Sequence, residues 1–153
     1  MHAAQALNLC SSRRMLILHG SGTSAGAFVN SDSAVGGKNF ISGIPCRMDA
    51  GNRVPPNWQW EVLDAGSGDG SWWPEGADPT SGLDAAVAAV EVAMAATGAV
   101  GLIGHEQGAT VAAVVAARSA LGQGPPLEFA VACGACMPTG KYGELLQRLQ
   151  GCF

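Results

Sequence analysis

The feature that most constrains this chain is an alternation of short apolar runs with segments of helical composition. Apolar runs of strand length occupy residues 15–19, 58–63, 100–103 and 127–133. Helices are predicted at about residues 81–97, 109–121 and 141–149, with a further turn or two within 24–44. Strands that alternate with helices form a parallel sheet covered by helices. We therefore predict one α/β domain over residues 1–153, of which residues 1–14 form an N-terminal extension.

Turn-forming residues mark the ends of these segments. Ser81 is the predicted N-cap of the first long helix, with Asp84 at the third following position, and Gly98 ends that helix. The Gly-rich stretch at residues 64–79 is predicted to be a long loop after the second strand. A long loop at such a position is usually functional in origin.

Charge and apolar content exclude several classes of protein. The net charge is −4 and only 13% of the residues are charged. An acidic chain without a basic patch lacks the positively charged surface that binds nucleic acid. No apolar stretch reaches the roughly 18–20 residues that a membrane-spanning helix needs, so we predict that the protein does not span a membrane. So few charged residues cannot cover the whole surface, and we therefore expect an exposed apolar patch or a partner that covers it.

The cysteines favour an intracellular protein without disulfides. There are five, an odd number, and no secretory signal is recognisable, so a cytoplasmic location is the default, with organelle import left open. Cys133 and Cys136 form a C-x-x-C pair, but the pair ends an apolar strand instead of starting a helix. Buried structural thiols are therefore favoured over redox chemistry. A zinc site lacks a second pair of ligands, and we predict no metal or cofactor.

A sharp turn joins the third strand to the following helix. Gly104-His105-Glu106-Gln107-Gly108 has the strand–Gly-x-x-x-Gly–helix arrangement of a nucleophile elbow, which reads G-x-S-x-G in active hydrolases. The central residue of such an elbow takes a strained backbone with positive φ. The two glycines are steric requirements, because a side chain at either position would crowd the crossing of strand and helix.

Several further motifs occur in a fixed order around this turn. They are Leu16-Ile-Leu-His19-Gly20, Phe28, Trp72-Trp73, Ser81-Gly-Leu83, Leu102-Ile-Gly-His-Glu-Gln-Gly-Ala109, and Pro126-Leu-Glu-Phe129 followed by Cys133-Gly134. Together, over about residues 14–138, they resemble the fungal serine hydrolase (FSH) family of the α/β-hydrolase superfamily. The resemblance implies an α/β-hydrolase-like three-layer sandwich with a mostly parallel sheet, here lacking the C-terminal strands.

The chemistry that the resemblance implies is missing from this sequence. Glu106 stands where the family has its nucleophilic serine. The family's catalytic Asp and His follow the elbow, but here no Asp comes after Asp84 and no His after His105. The acids beyond the elbow are Glu128 and Glu144, and neither follows a predicted strand as a triad acid should. We therefore predict that no catalytic triad is intact.

The remaining site residues are predicted as follows. Amides near Gly20 and Ser21 and that of Gln107 form a remnant oxyanion hole, which the carboxylate of Glu106 blocks or fills at the N-terminus of the helix. Phe28, Trp72 and Trp73 line an old substrate pocket, with simple loop packing as the alternative. His19 is expected to be structural, and the side chain of His105 to point away from the site.

Three functions are compatible with these features. The first is a degenerate, inactive hydrolase-like domain kept as a structural or binding subunit of an assembly, in which another protein chain or a second copy covers the apolar strand edge at residues 127–133. The second is an active ester or acyl hydrolase, in which Glu106 acts unconventionally or a partner chain supplies the catalytic groups. The third is a small-molecule binding module that uses the old pocket.

Overall fold

The computed structural model describes residues 13–30, 58–74 and 79–149. Four strands alternate with four helices along this part of the chain. In order they are β1 (Arg13–Leu18), α1 (Ala25–Asn30), β2 (Trp58–Leu63), α2 (Pro79–Thr97), β3 (Ala99–His105), α3 (Gln107–Ala120), β4 (Phe129–Cys133) and α4 (Gly140–Leu149).

The four strands form one sheet in the order β2-β1-β3-β4, and every neighbouring pair is parallel. This confirms the predicted α/β class. Leu18 is level with Leu63 on one side and with Gly104 on the other, and His105 is level with Cys133. The carboxyl ends of the strands therefore meet at one end of the sheet, where the loops of a candidate site converge.

Helices cover both faces of the sheet. Leu16 and Leu18 of β1 pack into a cluster with α2, α3 and α4 on one face. Met15 and Ile17 point the opposite way and pack with Phe28 of α1. This alternation follows from the two-residue period of a strand, and both sets are buried because a central parallel strand is covered on each side.

The boundaries of several elements differ from the predicted ones. Arg13 and Arg14 belong to β1 and not to an N-terminal extension. Helix α2 begins at Pro79, because a proline suits the first turn of a helix, so that Ser81 lies inside the helix and is not its N-cap. The last strand begins at Phe129 instead of residue 127. Of the segment 24–44, only residues 24–30 lie within the described part.

The last helix is fastened to α2 through one carboxylate. Lys141 Nζ lies 2.6 Å from Asp84 Oδ1, and the hydroxyl of Tyr142 donates a hydrogen bond to the same side chain. The bonds from Lys141 and Tyr142 hold the pKa of Asp84 below its usual value. Burial, followed by the bond to Asp84, raises the pKa of Tyr142 to about 12. This contact sets the position of α4 against the helical layer.

The two cysteines of the C-x-x-C pair have different surroundings. Cys133 is half-buried and packs against the cluster that contains Phe28. Cys136 is exposed, which corrects the expectation of two buried thiols, and its backbone N–H donates to Thr110 Oγ1 at 3.0 Å. Cys133 therefore contacts the cluster around Phe28, whereas Cys136 is bonded to α3. Cys10, Cys46 and Cys152 lie outside the described residues.

Candidate functional site

The backbone at Glu106 has the shape of a nucleophile elbow. Its φ is 50° and its ψ is −116°, and it is the one non-glycine residue with positive φ in the described segments. Its N–H donates to Cys133 O at 2.9 Å, and its carbonyl accepts from Ala109 N at 3.0 Å. The first bond continues the strand pairing and the second begins α3. The chain thus turns from strand to helix at a single residue, at a conformational cost of about 1–3 kcal/mol.

The two flanking glycines are required by close backbone contacts. A Cβ on Gly104 would lie 2.5 Å from the Cα of Ala109, and one on Gly108 would lie 2.5 Å from the carbonyl oxygen of His19. Real Cβ atoms do not approach other atoms this closely. The spacing Gly-x-x-x-Gly therefore lets α3 cross directly over the ends of β3 and β1, which is the steric role expected of an elbow.

The carboxylate of Glu106 lies against the loop that follows β1. A Cβ on Gly20 would collide with Glu106 Oε2 and would stand 3.2 Å from Nδ1 of His105. His105 was expected to point away from the site, but its ring borders Gly20 and lies 6.3 Å from the ring of Phe28, centroid to centroid. Gly20 is buried, whereas Ser21 and Glu106 are exposed. A carboxylate and an imidazole therefore flank one glycine.

The side chain of Gln107 joins the elbow to the Trp72-Trp73 loop. Its Oε1 accepts a hydrogen bond from the backbone N–H of Trp72 at 2.8 Å, and its Nε2 donates to the carbonyl of Trp73 at 3.3 Å. An amide side chain has one acceptor and one donor group for such a pairing. The sequence motif offered Gln107 only as a backbone donor, and its side-chain role was not anticipated.

The three aromatic residues predicted as pocket walls do not share one wall. Trp72 and Trp73 are 5% and 6% exposed and pack in the cluster with α2 and α3. Phe28 is also buried, but it packs on the opposite face of the sheet with Met15 and Ile17. The two tryptophans are therefore placed as the alternative interpretation, loop packing, expects.

His19 is a fully buried part of the loop framework. One ring nitrogen, Nδ1, lies 2.7 Å from the carbonyl oxygen of Gly20, and the other, Nε2, accepts from Ala65 N–H at 3.2 Å. The indole N–H of Trp72 donates to the carbonyl of His19 at 2.8 Å. The loops after β1 and β2 are thus tied together, and Gln107 ties the second of them to the elbow.

A polar depression of about 630 Å³ opens beside this framework. One wall is the loop before α1 together with the first turn of α1, and the other is the Gly-rich loop after β2. Their polar side chains are Thr23, Ser24, Asp64, Ser67 and Asp69. A hydrogen bond from the side chain of Ser67, followed by one from the backbone of Ser71, lowers the pKa of Asp69. The depression is therefore hydroxyl-rich and negatively charged.

The described part of the chain contains no group of three or more His, Cys, Asp or Glu side chains that would hold a metal ion. In the same segments, no helix is long and apolar enough to cross a membrane. The chemistry available at the elbow consists of the carboxylate of Glu106, the ring of His105 and backbone amides.

A parallel sheet whose third strand turns at one strained residue into a glycine-flanked helix defines the α/β-hydrolase class. The sequence profile of a family described as serine hydrolase (FSH1) matches residues 9–150, so that the chain belongs to this serine hydrolase family. A search of curated proteins gave no significant match.

Asp64 is a further residue at this site that the sequence motifs did not single out. Its Oδ1 accepts from Ala25 N–H at 2.6 Å at the first residue of α1, and lies 3.6 Å from Nε2 of His19. An acid directly after a parallel strand is a signal that could have identified it, because such positions face the end of the sheet where sites form.

Proposed function

We propose that this protein is a catalytically inactive member of the serine hydrolase family that serves as a structural or binding subunit of a larger assembly. One observation carries the proposal: the elbow backbone is preserved, strain included, while Glu106 occupies the position of the nucleophile. A strained backbone at a position without the family's serine supports the view that the elbow conformation is retained although the nucleophile is lost.

The placement of the two histidines in the described segments supports the loss of a general base. A triad requires an imidazole that takes the proton of the nucleophile and a carboxylate that orients the imidazole. Both ring nitrogens of His19 are engaged with backbone groups. His105 precedes the elbow, and its ring packs by Phe28 and Gly20. Neither residue has the place of the family's downstream histidine, which supports loss of activity.

The binding part of the proposal rests on the contrast between the two edges of the described sheet. β2 carries exposed Gln59 and Glu61 on either side of the exposed Trp60, and polar or charged side chains of this kind protect an edge strand from pairing. β4, by contrast, has the sequence Phe-Ala-Val-Ala-Cys and contains no charged residue, with Ala130 and Ala132 exposed. An unprotected apolar edge favours pairing with another chain.

An apolar groove of about 450 Å³ lies next to the end of β4. It runs between α3 and α4 and is closed by the loop after β4. Its lining includes Ala113, Ala116, Ala120, Met137, Leu146 and Leu149. Met137 is 56% exposed, which is high for a large apolar side chain. The groove and the β4 edge together form a surface that a partner chain, or a second copy of this chain, would cover.

The loss of activity is tested with simple esters. We expect purified wild-type protein and the variant Glu106→Ala to hydrolyse p-nitrophenyl esters at the same background rate. The variant Glu106→Ser is expected to stay at that rate, because restoring the nucleophile does not restore its base. Turnover by the wild type that disappears in Glu106→Ala would overturn the proposal of an inactive domain.

The subunit role is tested by native mass spectrometry of the protein from its source extract. We expect a stable complex with another chain or with itself, and we expect Ala132→Lys on β4 to weaken it. Gln59→Lys on the β2 edge is the matched control and should leave the complex unchanged. A monomer in the extract, or equal effects of the two lysines, would contradict docking at β4.

The alternative is an active ester or acyl hydrolase, and the observation that favours it is the approach of Glu106 and His105 to the same glycine. In that case Glu106→Gln and His105→Gln would each abolish turnover of the wild type. If the catalytic groups come from a partner chain, turnover would be present in the native complex and absent from the isolated protein.

A further inference from the structure

The hydrogen bonds of His19 define its protonation state. Ala65 N–H donates to Nε2 at 3.2 Å, so Nε2 carries no proton. Nδ1 lies 2.7 Å from the carbonyl oxygen of Gly20, which can only accept, so Nδ1 carries the proton. The side chain is 0% exposed. The observed arrangement of the loops therefore requires a neutral ring with one particular tautomer.

A second acceptor stands beside Nε2. Asp64 Oδ1 lies 3.6 Å from it, and the same oxygen accepts from Ala25 N–H at 2.6 Å at the start of α1. If Nε2 gains a proton it becomes a donor, and it can no longer accept from Ala65. The carboxylate of Asp64 is then the nearest group able to accept from the ring, and a short ion pair draws that oxygen away from Ala25.

We propose that protonation of His19 is a switch that remodels the polar depression between α1 and the loop at residues 64–70. The ring exchanges its bond with Ala65 for an ion pair with Asp64, and the N–H groups of Ala65 and Ala25 lose their acceptors. Ala65 and Asp64 line the depression, and Ala25 lies between its lining residues Ser24 and Ala27. The exchange therefore acts on both walls at once.

The titratable groups near this position come from two neighbouring elements of the described segments. After β2, Asp64 lies 3.6 Å from Nε2, and Asp69 lines the depression with it. After β3, Glu106 and the ring of His105 lie against Gly20, the residue that follows His19. Gln107 of α3 and Trp72 of the loop are neutral. No lysine or arginine of the described segments lines the depression. Protonation thus places a positive charge 3.6 Å from the carboxylate of Asp64.

The test is an NMR titration of the whole chain between pH 8 and pH 5. We expect the ring nitrogens of His19 to show the Nδ1–H tautomer at pH 8. We expect the ring, the amides of Ala25 and Ala65 and the indole N–H of Trp72 to change with one shared midpoint while the fold is retained. Amides that stay unchanged while the ring titrates, or a ring that stays neutral down to pH 5, would overturn the switch.

Two variants separate this switch from other titrations. Asp64→Asn keeps the size of the exposed side chain but removes its charge, and the shared midpoint should move to lower pH. His105→Gln removes the other described histidine and should leave the midpoint unchanged. A transition that persists unaltered in Asp64→Asn, or one that vanishes in His105→Gln, would refute the proposed exchange.

Discussion

The carboxylate of Glu106 occupies the space directly over Gly20, where a Cβ on the glycine would stand 3.2 Å from Glu106 Cδ and would collide with Oε2. This contact places an acid at the end of β3 against the loop at the end of β1. The backbone around the acid is that of an elbow built for a small nucleophile. The elbow backbone is preserved while its side chain is changed, and we make predictions for the backbone and for the side chain.

The strained backbone at Glu106 should be relieved by glycine. We expect Glu106→Gly to raise the free energy of unfolding by about 1 kcal/mol, because a φ of 50° costs a residue with a side chain and not glycine. Urea denaturation would measure the change. Glu106→Ala removes the same carboxylate but keeps the strain, so it should show no such gain. Equal stabilities of the two variants would contradict the strain argument.

Glycines at this end of the sheet should differ in their tolerance of alanine. A Cβ on Gly108 meets the backbone of Leu18 and His19, which cannot move, and we expect Gly108→Ala to cost about 3 kcal/mol. A Cβ on Gly20 meets the end of the exposed Glu106 side chain, which can swing away, so Gly20→Ala should cost about 1 kcal/mol or less. The comparison is made by thermal denaturation.

In the double variant Glu106→Ala/Gly20→Ala, the cost of Gly20→Ala should fall further, because the colliding oxygen is gone. An unchanged cost would mean that the ring of His105, and not Glu106, restricts this glycine.

The hydrogen bonds of Gln107 should contribute measurably to stability. Gln107→Met keeps the length of the side chain but leaves the N–H of Trp72 without its acceptor, at an expected cost of about 2 kcal/mol. Gln107→Glu keeps that acceptor and places a negative charge in the first turn of α3, where the helix dipole favours it, so it should lose less. Tryptophan fluorescence during urea denaturation reports both variants. A methionine variant as stable as the wild type would show that the bridge is dispensable.

The ion pair at Asp84 should make stability depend on acid pH. The pKa of Asp84 is lowered by its bonds to Lys141 and Tyr142, so its contribution is present above the unfolded value of about 4 and is lost as the pH falls through the folded value. Asp84→Asn should therefore be less stable than the wild type at pH 7, and the difference should shrink below pH 4. A difference that is the same at both pH values would contradict this linkage.

The hydroxyl of Tyr142 should act at the opposite end of the pH range. Its pKa is raised to about 12, so the protonated form contributes stability below pH 10 that is lost between about pH 10 and 12. Tyr142→Phe should flatten the loss of stability over this range. Denaturation midpoints at pH 9 and pH 11 measure it, and parallel profiles for the variant and the wild type would exclude this role.

The amino-acid sequence by itself determined the class of fold and the position of the elbow. Strand-length apolar runs that alternate with helical segments leave few arrangements besides a parallel sheet, and the pair Gly104 and Gly108 marks a backbone crossing that tolerates no Cβ. The absence of a serine at position 106 is visible in the same motif. These features are local, because they depend on residues near each other in the chain.

Tertiary structure alone decided which side chains meet at the end of the sheet. Residues far apart in the chain, such as Asp64 and His19 or Gln107 and Trp72, are joined by contacts that no spacing rule reports. Phe28 and Trp72 lie on opposite faces of the sheet, because α1 packs against Met15 and Ile17 of β1 whereas Trp72 packs with the cluster on the other face. A motif predicts the path of the backbone, whereas the partners of a side chain depend on how all the strands are ordered and aligned.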